Sequence, residues 1–143
     1  MKVLGRILAA ASLVLPIAAT AEVTVTEGHV RAPIPGVTST AAYMTLRNTG
    51  GQDMMVERVT TAAAAAVTLH ATMNHNGMLH MMGMESLTIP ANGSLVLKEG
   101  GMHMMLEGPR ATLEPGTTVD LVLHFTNGTE LVISLPVRSV LDR

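Results

Sequence analysis

The segment Thr118-Val119-Asp120-Leu121-Val122-Leu123-His124-Phe125-Thr126-Asn127-Gly128-Thr129-Glu130-Leu131-Val132-Ile133-Ser134-Leu135-Pro136-Val137 alternates apolar and polar residues on both sides of an Asn-Gly pair. Val119, Leu121, Leu123 and Phe125 take one set of alternate positions, and Leu131, Ile133 and Leu135 resume it after the turn. A period of two belongs to a strand with one buried face, so the segment reads as an antiparallel pair packed on a core. Outward from it the same grammar recurs. Strands are expected over Val23–Arg31, Ala41–Asn48, Met54–Thr60, Val67–Met73, Met78–Met82, Ser94–Lys98, His103–Glu107, Thr118–Thr126 and Thr129–Val137. Between them stand Asn48-Thr49-Gly50-Gly51, Asn76-Gly77, Asn92-Gly93, Gly100-Gly101, Pro115-Gly116 and Asn127-Gly128. Asn-Gly suits the left-handed positions of a type I′ hairpin, and three such pairs in a small protein are a strong all-β signal. Ala62–Ala66 is the one tract with helix propensity. Five alanines do not nucleate a helix alone, so it reads as a loop or an edge segment. With no long 3.6-residue stripe, repeat or linker after residue 22, the expected fold is an all-β antiparallel sandwich in a single domain.

Composition narrows the function. The 143 residues hold no cysteine, no tryptophan, one tyrosine (Tyr43) and one phenylalanine (Phe125), beside 12 methionines and six histidines. Without cysteine there is no disulfide scaffold, iron–sulfur cluster, thiolate zinc site or blue-copper centre. A net charge of −2 with two aromatic rings argues against nucleic-acid binding, which uses a basic surface and stacking rings. At 48% apolar and 14% charged, the chain can fill a core.

The first residues read as an address. Lys2 and Arg6 precede a 13-residue apolar run, Ile7 to Ala19, that closes in Ala19-Thr20-Ala21. The run is shorter than the roughly 20 residues a membrane-spanning helix needs, and it ends in the small-x-small pattern of signal-peptide cleavage. Residues 1–21 are thus expected to be a cleaved signal peptide, and 22–143 an exported protein without a membrane anchor. The mature chain would carry seven basic against eleven acidic residues. Export places it in an oxidising compartment such as the periplasm, where its stability rests on its core rather than on disulfides.

Eight of the 12 methionines and four of the six histidines fall between His70 and Met105. His103 and Met105, two apart, point to one face of a strand. If the Asn76-Gly77 turn pairs His75 with Met78, Thr72 lies opposite Met81, and His70 becomes a diagonal neighbour of Met81 on the same face. A second strand carrying His103 and Met105 would close a pocket of two nitrogens and two sulfurs. A one-residue slip would send Met81 to the other side. Thioether and imidazole donors are soft and neutral, a set that favours Cu(I) and survives where thiolates would oxidise. Such a site suits carriage of the ion, and no nucleophile–base pair points to an enzyme.

Methionine also fills gaps in cores, and Met44, Met54 and Met55 read that way. Met102, Met104 and Met105 bracket His103 too closely for alternation to bury them all on one side. On the opposite hairpin face Met73 would oppose His80, with Met78, Met82 and Met84 alongside. There His75 and His80 form either a second, weaker copper site, able to take Cu(II), or merely solvated side chains, and the solvated reading is favoured. His29 and His124 lack soft neighbours in sequence and read as structural or exposed.

The string His70-x10-Met81-x21-His103-x-Met105 resembles the signature of the periplasmic copper chaperones called PCu(A)C. Ala42-Tyr43-Met44-Thr45-Leu46-Arg47-Asn48, Leu69-His70, Ile89-Pro90-Ala91, Gly100-Gly101-Met102-His103-Met104-Met105-Leu106 and Leu135-Pro136-Val137 are also similar to that family. The resemblance implies a cupredoxin-like sandwich, monomeric, that binds Cu(I) through those four residues. It further implies delivery to the dinuclear centre in the copper-bearing subunit of cytochrome c oxidase, directly or through another copper chaperone. Two positions depart from the pattern: His29 stands where an aromatic residue is expected, and His80 where an Arg or another polar residue is common. The competing readings are a copper-resistance or storage protein that buffers the ion, and a metal-free interaction module. The scarcity of aromatic residues counts against the latter.

Overall fold

The structure, a computed structural model, describes residues 22–111 and 113–141. The expected signal peptide lies outside them. Among the described residues ten strands follow in order: β1 (Val23–Arg31), β2 (Ser39–Asn48), β3 (Met54–Thr60), β4 (Ala64–His75), β5 (Met78–Met84), β6 (Leu87–Ile89), β7 (Ser94–Leu97), β8 (Met102–Pro109), β9 (Thr118–Phe125) and β10 (Glu130–Arg138). Hydrogen-bonded neighbours run β5-β4-β8-β2-β1-β10-β9-β3-β6, with β7 beside β2. One core serves both halves of that path. Val30, Met44, Leu46, Leu69, Met104 and Leu106 enter it from the first half, and Val56, Val59, Leu121, Leu123, Phe125 and Leu135 from the second. The all-β expectation holds.

The β9–β10 pair is the one its alternation describes. Leu131 lies opposite Leu123, Ile133 opposite Leu121 and Leu135 opposite Val119. The apolar set faces inward and Asp120 and Ser134 face out, their side chains hydrogen-bonded. The first and last strands also meet, in a short parallel pairing of Val30 with Val137 and Arg31 with Arg138. Periodicity carries no information on strand direction, so this contact was not legible beforehand.

Other details correct the sequence expectations. Only Asn76-Gly77 has both residues at positive φ, 54° and 82°, as a type I′ turn requires. At Asn92-Gly93 only the asparagine is left-handed and at Asn127-Gly128 only the glycine, so these close wider turns. The alanine tract divides: a turn precedes Ala64, where β4 begins, and Ala64 and Ala66 pair with Pro109 and Glu107. The pairing of β5 with β4 starts only at Leu69, so the alanines occupy the sheet's rim, in keeping with the edge reading. The three-residue strand β6 is too short for periodicity to register. Met44 is buried and Met54 packs against the core, but Met55 is exposed, because alternation along β3 turns it outward between Met54 and buried Val56.

A β-bulge in β1 sets up the face that matters most. Thr26 pairs with Thr45 and His29 with Tyr43, so Glu27 and Gly28 together oppose Met44. Glu27 takes a φ of 52°. The extra residue reverses the inward phase of the strand, from Val23 and Val25 to Val30, and turns His29 outward. A side chain at position 28 would meet Leu135 Cδ2 and displace it.

Candidate metal centre

Two registers assemble the site. The Asn76-Gly77 turn is braced by the Gly77 amide donating to Asn74 Oδ1 at 3.0 Å. It pairs His75 with Met78 and Thr72 with Met81, the arrangement expected from the sequence. On the other side of β4, His70 lies directly opposite His103 and Thr68 opposite Met105. Directly paired residues share a face. His70, Met81, His103 and Met105 therefore project from one side of three adjacent strands, β5, β4 and β8, with the histidines at the centre.

The side chains converge. The His70 and His103 rings lie 5.8 Å apart and nearly parallel, at 17°. Met81, His103 and Met105 line a cavity of about 320 Å³ together with Thr72, Tyr43 and Arg31. His70 is outside that lining and joins the group through its ring against His103. His103 is buried, at 6% exposure, whereas Met81 is exposed at the rim. The centre thus combines a sheltered imidazole with an accessible thioether.

Hydrogen bonds decide which nitrogens are available. His103 Nδ1 lies 3.1 Å from the Gly101 carbonyl, which only accepts, so Nδ1 carries the hydrogen and Nε2 keeps its lone pair. The Thr68 hydroxyl donates to Glu107 Oε1 at 3.1 Å and is therefore an acceptor toward His70 Nδ1, 3.2 Å away. That too places the hydrogen on Nδ1 and frees Nε2. A carboxylate–hydroxyl–imidazole chain of this kind orients a ligand histidine and fixes its tautomer. Thr68→Val removes the acceptor without changing the size of the side chain. It is expected to weaken Cu(I) binding by about 10- to 100-fold, the usual effect of losing an outer partner, while Thr68→Ser restores it. Competition against a chromophoric Cu(I) chelator measures both.

Thr68, Thr72, Glu107, Tyr43 and Arg31 were given no role in the site from the sequence. Thr68 and Thr72 carry a signal, since they flank His70 at a spacing of two on the same strand. The others reach the site only through long-range pairing. A row of rings crosses the face: His29 to Tyr43 at 5.5 Å, Tyr43 to His103 at 6.4 Å, then His103 to His70. Arg31 stacks over Tyr43 at 5.5 Å and pairs with Glu99 at 3.0 Å. The hydrogen bond to Glu99 raises the Arg31 pKa further. Burial raises that of Tyr43, against the pull of the Arg31 charge. Burial first, then the positive charges of Arg138 and Arg31, hold the His29 imidazole below its ordinary value. His29 places its ring beside Tyr43 at the end of that row.

His124 is elsewhere, on β9. Its Nε2 lies 2.9 Å from Thr60 Oγ1, and its Nδ1 is close to Arg58 and Glu130. Among the described residues no group of three or more His, Cys, Asp or Glu could hold a metal ion. Two imidazole nitrogens with two thioethers form a soft, uncharged donor set suited to a monovalent ion.

Fold and site together define a class: an all-β sandwich that gathers two histidines and two methionines on one sheet face. The family model described as "Putative lipoprotein LpqE-like" matches residues 23–137, and the chain belongs to that family. It is 36% identical over 117 residues to Lxx21020 of Leifsonia xyli subsp. xyli, a protein named as a lipoprotein, covering 81% of this chain and 69% of that one. The uncharacterized protein RP573 of Rickettsia prowazekii is 24% identical over 102 residues, which make up 71% of this chain and 56% of its own length. Among solved structures, the copper-bound PCuAC domain of PmoF2 superposes with a TM-score of 0.71 at 20% identity, covering 85% of this chain and 96% of that one. The solution structure of CuI-DR1885 from Deinococcus radiodurans gives 0.66 at 36% identity, over 80% of this chain and 76% of that one. The resemblance to the PCu(A)C family read from the sequence is thereby borne out, as is its cupredoxin-like fold.

Proposed function

We propose that this chain is an exported copper carrier that binds Cu(I) through His70, Met81, His103 and Met105. It passes the ion to the copper-bearing subunit of cytochrome c oxidase or to another copper chaperone. The observation that carries the reading is the convergence of the four side chains on one face, each imidazole with its Nε2 lone pair free. The likeness to CuI-DR1885, a protein whose name states the ion and its oxidation state, supports Cu(I). Neutral donors at a partly exposed rim favour stepwise exchange with a partner's ligands over permanent retention. Export to the periplasm is supported by the apolar run of residues 7–19, by the lipoprotein-like family description and by the name of Lxx21020, "Putative lipoprotein". Among the described residues no helix is long and apolar enough to cross a membrane.

Copper loading of the oxidase in a deletion strain tests the role. Delivery predicts an oxidase depleted of copper in low-copper medium, rescued by the wild-type gene and not by a His103→Ala copy. A buffering role predicts a normally loaded oxidase and growth that fails under copper stress. That second result would overturn delivery.

A further inference from the structure

The reverse face of the β4–β5 hairpin carries a second set of soft donors that the site above does not use. Met73 lies directly opposite His80, and His75 opposite Met78. Met82 follows His80 by two residues on β5, and so shares its face about 7 Å along the strand. It is also the diagonal neighbour of Met73, at about 7–8 Å. Both distances are within converging reach of methionine, whose three rotatable bonds let the sulfur adapt.

These methionines are not core fillers. Leu69 and Met84, on the same face, pack in or against the core, but beyond them the hairpin overhangs it. Met73 is 51% exposed, Met78 64% and Met82 52%, and His75 and His80 are exposed as well. Gap-filling accounts for a buried methionine and not for three in solvent. No charged residue occurs between Ala71 and Met84, so nothing on the hairpin attracts a hard divalent cation. Soft neutral donors without a carboxylate select a soft monovalent ion.

We propose that Met73, His80 and Met82 form a second Cu(I) site on this face, with Met78 and His75 beside it as further donors. It is weaker than the first, being open to solvent and without a buried imidazole. Because Met81 and Met82 are consecutive and point to opposite sides, the two sites stand back to back across one strand. The proposal uses none of the four donors assigned above and does not depend on where the copper goes.

Anaerobic titration of the mature protein with Cu(I), followed by NMR of labelled methionine methyl groups, tests it. The first equivalent should shift Met81 and Met105. The second, bound at least tenfold more weakly, should shift Met73 and Met82. The variant Met73→Leu/His80→Gln/Met82→Leu changes only exposed side chains and should lose the second equivalent while holding the first within about twofold. If the Met73 and Met82 methyls stay still through three equivalents, or the triple variant still binds two ions, the second site does not exist. If those two methyls move while Met81 and Met105 never do, the assignment of the first site fails and the second stands.

Discussion

Met104→Ala and Met105→Ala, one peptide bond apart, are expected to give opposite phenotypes. Met104 is fully buried and pairs with Leu69 and Ala42 across its two neighbouring strands, on the core side of β8. Truncating it leaves a cavity among Leu69, Leu106 and their neighbours, and should cost about 2–5 kcal/mol of folding stability. Cu(I) affinity in the folded fraction should remain, because the side chain points away from the donors. Met105 stands on the other face, half-buried, opposite Thr68 and Ala41. Its truncation should cost less than about 1 kcal/mol of stability and weaken Cu(I) binding by at least tenfold. Urea unfolding measures the first quantity, and competition with a chromophoric chelator the second. Loss of affinity in the Met104 variant with none in the Met105 variant would place the donors on the wrong face.

That dissociation rests on alternation, and alternation was the part of the fold most legible in the sequence. Inward positions along β9 and β10 follow from a period of two, and the register of β4 on β5 follows once Asn76-Gly77 is read as a two-residue type I′ link, which it alone of the three Asn-Gly pairs forms. What remained hidden depends on pairing between distant segments. No local rule places β8 against β4 so that His103 meets His70, nor β1 against β10. The bulge at Glu27–Gly28 was also hidden, because its left-handed residue is a glutamate, which carries no turn signal. Of the candidate site, the four proposed donors were singled out by spacing and softness and the structure brings them to one face, but the Thr68–Glu107 support was hidden, since Glu107 reaches Thr68 only once β8 lies beside β4.

His103→Ala should weaken Cu(I) binding by more than about 100-fold, beyond the 10- to 100-fold typical of an outer partner. His103 is the buried member of the set, pairs directly with His70 and lines the cavity with Met81 and Met105. Its removal takes away one of the two proposed nitrogen donors and opens the sheltered side of the site to water. His124→Ala is the matched control. It too deletes an imidazole from a strand of the sandwich, but one whose ring nitrogens already meet Thr60, Arg58 and Glu130. The expected loss there is about 1 kcal/mol of stability with the hydrogen bond to Thr60, and no change in copper affinity. Since His103 is buried, circular dichroism and urea unfolding of both variants must accompany the titrations, so that a misfolded chain is not read as an empty site. Equal loss of affinity in the two folded variants would remove the basis for assigning the ion to this face, because it would mean that position within the sheet has no bearing on which histidine binds.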